Sequence, residues 1–263
     1  MQGKSIVVTR ALHQAGELSS LLSQHGAKAL LYPCIAIVPP EDTRQLDSVL
    51  REMAGGAFDW LVLTSANAVM ILSQRLAVAN LAPPPGLLLA CVGPATAEAA
   101  HRLLGMQARA IPENYVAEAL VELIKPVLPA RVLVLQAERA RPVLREKLAA
   151  AGATITALAT YRTVQGEGGI HLSTLLKAQQ VDAITFTSAS TVEHCVRRLQ
   201  AEGADLSLLT PVCLACIGPV TAQAVAAAGL VVGVMPTEHT IEGLVEALKA
   251  YFCSLAKGHP LYV

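Results

Sequence analysis

Hydroxyl residues recur in two matching segments that could bind an anion. Thr64-Ser65-Ala66-Asn67 and Thr187-Ser188-Ala189-Ser190 each follow an apolar run and precede a helical pattern, and Ser65 and Ser188 are 123 residues apart. The free N–H groups at such a helix start, at the positive end of its dipole, bind carboxylate or phosphate. The same hydroxyls also serve as ordinary N-caps. Capping is the more common role of such residues, but the duplication adds weight to anion binding, so we keep both interpretations.

A second pair of segments adds glycine, proline and threonine. Gly93-Pro94-Ala95-Thr96 is matched by Gly218-Pro219-Val220-Thr221, and Gly93 and Gly218 are 125 residues apart. Glycine lets a ligand or backbone approach closely, proline presets the first helical residue, and the threonine hydroxyl can cap the helix or contact a ligand. The nearly equal spacings indicate two copies of one unit, and small ligands bind at strand-to-helix turns in parallel α/β folds. We therefore expect the functional site between two facing halves.

Tyr161 is the candidate for chemistry outside these turns. It lies in Ala159-Thr160-Tyr161-Arg162-Thr163, where an apolar run of the second copy meets a linker-like segment. This position predicts a hinge at the mouth of a cleft, where functional residues concentrate. Core packing is the alternative role for a tyrosine at such a place.

Short apolar runs alternate with helical patterns along the chain. The predicted strands are residues 6–9, 29–32, 60–63, 87–92, 108–111, 132–135, 155–159, 183–186, 212–217 and 231–234. Leu18 and Leu22 on one helical face reappear as Leu144 and Leu148, so the repeat extends into the helices. Alternating strands and helices predict an α/β fold in which parallel sheets are flanked by helices.

Two linker-like segments leave the domain organisation open. Pro39-Pro40-Glu41-Asp42 and Gln165-Gly166-Glu167-Gly168-Gly169 have the composition of linkers. The chain could form two domains in series, or it could cross over early, build the second domain entire and return. The pattern of apolar runs fits both arrangements.

The composition excludes several classes of protein. Of the 263 residues, 53% are hydrophobic and 3% aromatic, which excludes disorder and fits buried parallel strands under alanine-rich helices. The 20 basic and 20 acidic residues cancel, so no binding to nucleic acid or to an anionic membrane surface is expected. The uncharged stretch 206–237 is interrupted by glycine and proline, so it predicts no membrane span.

Metal and dinucleotide sites are not expected. Cys213 and Cys216 form a Cys-x-x-Cys, but residues three apart in a strand face opposite sides, so core packing is the better interpretation. The seven histidines lack metal-ligand spacing, and the glycines of 165–169 neither follow a strand closely nor open a helix. The six cysteines are interpreted as reduced core residues, and the N-terminus lacks a secretory pattern, so a cytoplasmic protein is expected.

In their order and spacing, these segments resemble the uroporphyrinogen-III synthase family of tetrapyrrole biosynthesis. The similarity runs to about Phe252 and is carried by Val8-Thr9-Arg10 with Gln14 and Leu18, by 64–69, 92–97 and 217–222, by Tyr161-Arg162-Thr163 and by Phe186-Thr187-Ser188. The resemblance implies two flavodoxin-like α/β domains joined by a two-stranded linker, with early crossover. Residues 1–33 with 166–263 would form one domain, 38–160 the other, and 34–37 and 161–165 the linker strands.

The resemblance also implies the reaction. Linear hydroxymethylbilane loses water, ring D is inverted through a spiro intermediate, and the macrocycle closes as uroporphyrinogen III. The family uses no metal and no organic cofactor. A monomer is expected, with a transient contact with the preceding pathway enzyme as a further partner.

The family pattern suggests which residues act. Tyr161 is the expected catalytic residue, through a hydrogen bond that assists loss of the substrate hydroxyl. The expected substrate-binding residues are Thr96, Ser188 and Thr221, together with Ser65, Arg10 and Arg141. Helix-start N–H groups would receive substrate carboxylates, so a neutral chain could bind a polyanion. Two rivals stay open: a non-catalytic binder of a small anion and a nucleotide-dependent transferase of paired Rossmann-like domains.

Overall fold

The chain packs as two units. The computed structural model describes residues 1–114, 117–124 and 129–256. Met1–Ala36 with Val164–Val263 form the first unit, of which residues 257–263 lie outside the described part, and Ile37–Thr163 form the second. The chain thus leaves the first unit early and later returns to it. The finer division expected above, with linker strands at 34–37 and 161–165, stays a prediction.

Ten strands are described. They are β1 (Ser5–Val8), β2 (Lys28–Leu31), β3 (Ile35–Val38), β4 (Trp60–Leu63), β5 (Leu88–Cys91), β6 (Ala108–Ala110), β7 (Arg131–Ala137), β8 (Thr154–Gln165), β9 (Ala183–Phe186) and β10 (Cys213–Cys216). The boundaries between the units fall inside β3 and β8.

The described α-helices also number ten. They are α1 (Ala15–Gln24), α2 (Arg44–Ala54), α3 (Ala66–Ala79), α4 (Pro94–Leu104), α5 (Ala117–Ile124), α6 (Val143–Ala150), α7 (Leu172–Lys177), α8 (Ala189–Ala201), α9 (Pro219–Ala227) and α10 (Ile241–Ala256). Short 3₁₀ turns occupy Leu12–Gln14 and Leu206–Leu209. Among the described helices, we find none that combines the length and the hydropathy needed to cross a bilayer.

The first unit is built on a parallel sheet in the order β10-β9-β1-β2. Helices α1 and α10 cover one face, where Leu18 packs near Leu244, and α7, α8 and α9 cover the other, where Phe186 is buried. Counted along this unit, the strand order is second, first, third, fourth, as in flavodoxin-like folds.

The second unit has the sheet order β3-β8-β7-β4-β5-β6, in which the pairs from β8 to β6 are parallel. Helices α2, α3 and α4 bury apolar side chains against one face, and α5 and α6 against the other. If β7 and β8 are taken as the first two strands, the order is that of the first unit. The predicted α/β class, with helix-flanked parallel sheets, is confirmed.

The predicted repeat is visible in the helices. Leu18 and Leu22 of α1 and Leu144 and Leu148 of α6 are all buried. In each copy this helix lies between the first strand of the flavodoxin-like order and the second.

The predicted strand at 231–234 is wrong. Val231 is 83% exposed, and the pairing described for this segment is one isolated bridge between Val234 and Ala215. The N–H groups of Gly233 and Val234 both point to the carbonyl oxygen of Leu214. Successive N–H groups of a strand point in opposite directions, so this backbone cannot extend the ladder.

The cysteines are mostly core residues. Cys213 packs with the α1 and α10 side of the sheet and Cys216 with the opposite side, which confirms the predicted orientation of the Cys-x-x-Cys. Cys253 is exposed on α10, so its interpretation as a core residue is corrected.

The glycine-rich segment after β8 is held by close packing. Gly166 lies against the backbone of Pro33, where a Cβ would overlap main-chain atoms. Arg198 of α8 donates hydrogen bonds to the carbonyl oxygens of Pro33 at 2.8 Å and Gly168 at 2.7 Å. A segment with the composition of a linker is therefore fixed within the first unit.

An aspartate holds equivalent strands together in both units. Asp59, before β4, accepts hydrogen bonds from the backbone N–H of Arg131 at 2.8 Å and from its guanidinium at 2.7 Å. Asp182, before β9, accepts from the N–H of Ser5 at 2.8 Å and from Lys4 Nζ at 2.8 Å. The same polar clamp therefore joins β4 to β7 and β9 to β1.

We predict that Asp59→Asn destabilises the protein in a pH-dependent way. The side chain and backbone N–H of Arg131 lower the pKa of Asp59 to about 2, against about 3.9 when unfolded. The carboxylate therefore stabilises the fold above about pH 4, and this contribution is lost as the pH falls toward 2. Both side chains are about half exposed, so screening limits the loss at pH 7 to about 1 kcal/mol.

Urea denaturation of Asp59→Asn and wild type at pH 7 and near pH 2 checks this prediction. Asp42→Asn is the matched control, because Asp42 pairs with Arg44 two residues away at the exposed start of α2. A difference between Asp59→Asn and wild type that persisted unchanged near pH 2 would contradict the proposed linkage.

Candidate functional site

In the first unit, three candidate positions follow neighbouring strands. Arg10 follows β1, Ser188 follows β9, and Gly218 follows β10. The carboxyl ends of parallel strands meet at one edge, and ligands bind there where the strand order reverses. In this unit the reversal lies between β1 and β9, beside Arg10 and Ser188.

Ser188 is the N-cap of α8. Its Oγ accepts from the N–H of Thr191 at 3.2 Å, and Thr191 Oγ1 accepts from the N–H of Ser188 at 3.3 Å, which completes a capping box. The capping interpretation is therefore correct for this serine. The cap engages the N–H of Thr191, but the amides before it in α8 still have no intrahelical acceptor, so an anion can bind there.

Thr96 and Thr221 occupy equivalent places in α4 and α9, each after a glycine N-cap and a proline. Their side chains are buried, at 6% and 3% exposure. Proline has no N–H, so the first helix-start amides without an intrahelical acceptor belong to Ala95 and Val220. A ligand at these helix starts would thus meet backbone amides before the threonine hydroxyls.

The glycine that caps α9 has a packing role. A Cβ on Gly218 would lie 3.2 Å from the ring of His239, so the imidazole and the helix start are in close contact. The backbone of Gly218 is extended (φ −172°), a conformation open to any residue. A larger residue at this position would therefore crowd the ring of His239, whereas the backbone conformation itself sets no requirement.

Arg10 carries unsatisfied donors at the same edge. Its side chain is 17% exposed, and its closest carboxylate partner, Glu17, is 3.8 Å away. Within the described residues, the buried Nε and Nη1 atoms have no hydrogen-bond partner. Burial lowers the pKa of the Arg10 guanidinium, and Glu17 opposes this effect. A buried cation with free N–H groups is costly, so this position favours an incoming anion.

In the second unit, Tyr161 and Ser65 come together. Ser65 is the N-cap of α3, and its Oγ accepts from the N–H of Ala68 at 3.2 Å. The same hydroxyl donates to the Tyr161 hydroxyl oxygen at 3.1 Å. The Tyr161 ring is buried in the core on the side of α2, α3 and α4. Because its oxygen already accepts a bond, the Tyr161 O–H can donate to a ligand.

The remaining predicted residues are spread along the edge of this unit. Thr96 lies in the first turn of α4, after β5, one strand away from Ser65. Arg141 is exposed in the segment between β7 and α6. The structure therefore joins Tyr161 to Ser65 directly and leaves Arg141 as a surface cation.

Sequence reasoning missed several neighbours of these positions. Leu12 and Val220 are apolar yet 67% and 68% exposed, after β1 and at the start of α9. His239 contacts Gly218, and buried Thr160 immediately precedes Tyr161. Val220 lies inside a repeated motif that could have drawn attention to it. The exposure of Leu12 and the contact of His239 with Gly218 depend on the folded structure and leave no signal in the sequence.

The chemistry available at these edges is hydrogen bonding and binding of anions. The described residues contain no group of three or more His, Cys, Asp or Glu side chains placed to hold a metal ion. Helix-start amides, two N-cap serines, a buried arginine and a tyrosine hydroxyl thus give an α/β protein of two doubly wound units the groups needed to bind a small anionic molecule.

Comparisons with known proteins identify the family. The family model described as uroporphyrinogen-III synthase HemD matches residues 16–246. The uroporphyrinogen-III synthase of Synechococcus elongatus is 31% identical over 256 residues, covering 95% of this chain and 96% of that protein. The chain belongs to the uroporphyrinogen-III synthase family.

Solved structures show the same fold. A mutant uroporphyrinogen III synthase from Thermus thermophilus has a TM-score of 0.61 at 22% identity and covers 97% of this chain and 100% of its own. Uroporphyrinogen-III synthetase from Helicobacter pylori has a TM-score of 0.59 at 17% identity, covering 94% of this chain and 99% of its own.

Proposed function

We propose that this chain closes hydroxymethylbilane to uroporphyrinogen III, with loss of water and inversion of ring D, as a cyclising lyase of haem biosynthesis. The family match across residues 16–246 supports this function. The observation at the site that carries it is the hydrogen bond from Ser65 to Tyr161, which leaves a phenol free to donate.

The reaction needs positioning more than strong acid or base. The electron-rich pyrrole of ring A expels the hydroxyl of its hydroxymethyl group, which gains a proton as the C–O bond breaks and leaves as water. The resulting azafulvene is attacked by the far end of the chain, and the spiro intermediate fragments and recloses with ring D inverted. Direct closure without inversion competes, so the enzyme must hold the conformation that favours the spiro intermediate.

Tyr161 is proposed to donate to the departing hydroxyl. The N–H of Ala68 donates to Ser65 Oγ, and Ser65 donates to the Tyr161 oxygen, so each bond orients and polarises the next. A hydrogen bond from Tyr161 to the leaving oxygen stabilises the negative charge that develops there.

Substrate carboxylates are proposed to bind at the helix starts and at arginine. Hydroxymethylbilane carries eight carboxylates, and the helix starts in each unit offer amides without intrahelical acceptors. Arg10 contributes the unsatisfied N–H groups of a buried guanidinium. The proposed binding positions are Ser65, Thr96, Ser188, Thr221, Arg10 and Arg141.

Location and assembly are also proposals. We infer that the protein acts in the cytoplasm as a monomer that receives its unstable substrate through transient contact with the preceding enzyme. Elution of the purified protein as a dimer in size-exclusion chromatography would overturn the proposed monomer.

The product isomer tests the proposed function. Purified protein is mixed with hydroxymethylbilane, and the oxidised products are separated by chromatography. The type III isomer is expected to dominate, against mainly type I in buffer alone. A product mixture identical to that in buffer would favour a non-catalytic anion binder, and nucleotide binding by calorimetry would favour a transferase.

We predict that Ser188→Asp raises KM and Ser188→Asn does not. Both residues are good N-caps, so α8 keeps its cap in each variant. The aspartate, however, places a negative charge where a substrate carboxylate is proposed to bind, and repulsion of about 1.4 kcal/mol raises KM about tenfold.

Steady-state kinetics of the two variants at low and high salt measure this effect. The ratio of their KM values should fall as salt increases, because the repulsion is screened. Equal KM values at low salt would mean that Ser188 caps its helix without binding substrate.

We predict that Tyr161→Phe lowers kcat about 10- to 100-fold and leaves KM nearly unchanged, because the lost hydrogen bond acts on the leaving group. Tyr251→Phe is the control, since Tyr251 is a partly buried tyrosine on α10, against Phe252 and in the other unit. Single-turnover rates of both variants separate chemistry from product release. A wild-type rate in Tyr161→Phe would remove the proposed donor role.

A further inference from the structure

A β-bulge precedes Tyr161 in β8. The register with β7 is regular from Arg131 opposite Thr154 up to Gln136 opposite Ala159, but the next partner of β8, opposite Ala137, is Tyr161. Thr160 is therefore the extra residue of the bulge.

The bulge decides which face of the sheet Tyr161 occupies. Ile155 and Ala157 pack on the side of α5 and α6, and strict alternation would put Tyr161 on that side as well. Tyr161 instead packs on the side of α2, α3 and α4, together with Leu158. One extra residue accounts for the reversal, because the side-chain period of a strand is two.

Thr160 satisfies a carbonyl at the interrupted ladder. It is fully buried, and its Oγ1 donates to the carbonyl oxygen of Gln136 at 3.2 Å. Beyond the bulge, the N–H of Glu138 donates to the carbonyl oxygen of Tyr161 at 2.9 Å, so pairing resumes at once. Gln136 is partly buried, and the threonine hydroxyl gives its carbonyl oxygen a donor at the point where the ladder is interrupted.

We propose that Thr160 is a positioning residue, whose hydroxyl holds the bulge that turns Tyr161 toward Ser65. The inference rests on the proposed function, since the role of Thr160 is exerted through the Tyr161 hydroxyl. Ser65 lies at the start of α3, on the face to which the bulge turns Tyr161. The 3.1 Å hydrogen bond between Ser65 and Tyr161 is thus a consequence of the extra residue.

A kinetic double-mutant cycle tests this role. Thr160→Val removes the hydroxyl at nearly constant shape and should lower kcat about five- to tenfold, with KM within about twofold. In the Tyr161→Phe background, the same change should alter kcat less than about twofold, because the group it positions is gone. Thr160→Ser, which keeps the hydroxyl, should restore kcat to near the wild-type value.

Thr185→Val is the matched control for stability. Thr185 is also a fully buried strand threonine, and its Oγ1 donates to the carbonyl oxygen of Val7 at 2.8 Å in the first unit. If Thr185→Val changes kcat at all, it should change it by the same factor in the wild type and in the Tyr161→Phe variant. An equal loss of kcat from Thr160→Val with and without Tyr161 would show a general structural effect and overturn the proposal.

A spectroscopic readout keeps the test independent of turnover. With ¹³Cζ-labelled tyrosine, the signal missing in Tyr161→Phe identifies Tyr161. This signal should move in Thr160→Val and in Ser65→Ala, and stay in place in Thr185→Val. An unmoved signal in Thr160→Val would refute the positioning role, whether or not the wild type is active. An inactive wild type would by itself refute only the proposed function.

Discussion

The common direction of the strands is the constraint on which the candidate site depends. From β8 to β6 in the second unit, and throughout the first, each strand runs parallel to its neighbours. The carboxyl ends of these strands therefore meet at one edge of their sheet, and helix N-termini gather there. The aspartate clamps at Asp59 and Asp182 lie at the opposite ends of the same central strands. The aspartate clamps and the proposed binding positions therefore lie at opposite ends of the strands.

Binding a substrate with many carboxylates does not require a basic protein. The 20 basic and 20 acidic residues of this chain balance, and the proposed donors are mostly backbone amides, whose partial charges add no net charge. Arg10 differs, because its guanidinium is largely buried with free N–H groups, and an anion there would recover part of the cost of its burial. A net charge of zero also limits non-specific binding to other polyanions.

Part of the candidate site could be predicted from single residues in the sequence, and part depends on how neighbouring strands align. Ser65 and Ser188 stand where any strand-to-helix turn would place a cap, and the structure makes both of them N-caps. The bond between Ser65 and Tyr161 could not be foreseen, because alternation along β8 directs Tyr161 to the wrong face. The register shift at Thr160 corrects this, and it depends on the partner strand β7 and not on β8 alone.

By itself, the sequence determined the fold class, the duplicated unit and the residue types at the turns, because hydrophobic period, capping and repetition are local properties of the chain. It failed at 231–234, where an apolar run resembled a strand but Gly233 and Val234 share one acceptor. It also left open whether the chain crosses over early. The tertiary structure decided which segments share a sheet, that Arg10 keeps unpaired donors and that Tyr161 meets Ser65. Each of these is a contact between residues far apart in the chain, whose free energy depends on burial and alignment that no single segment contains.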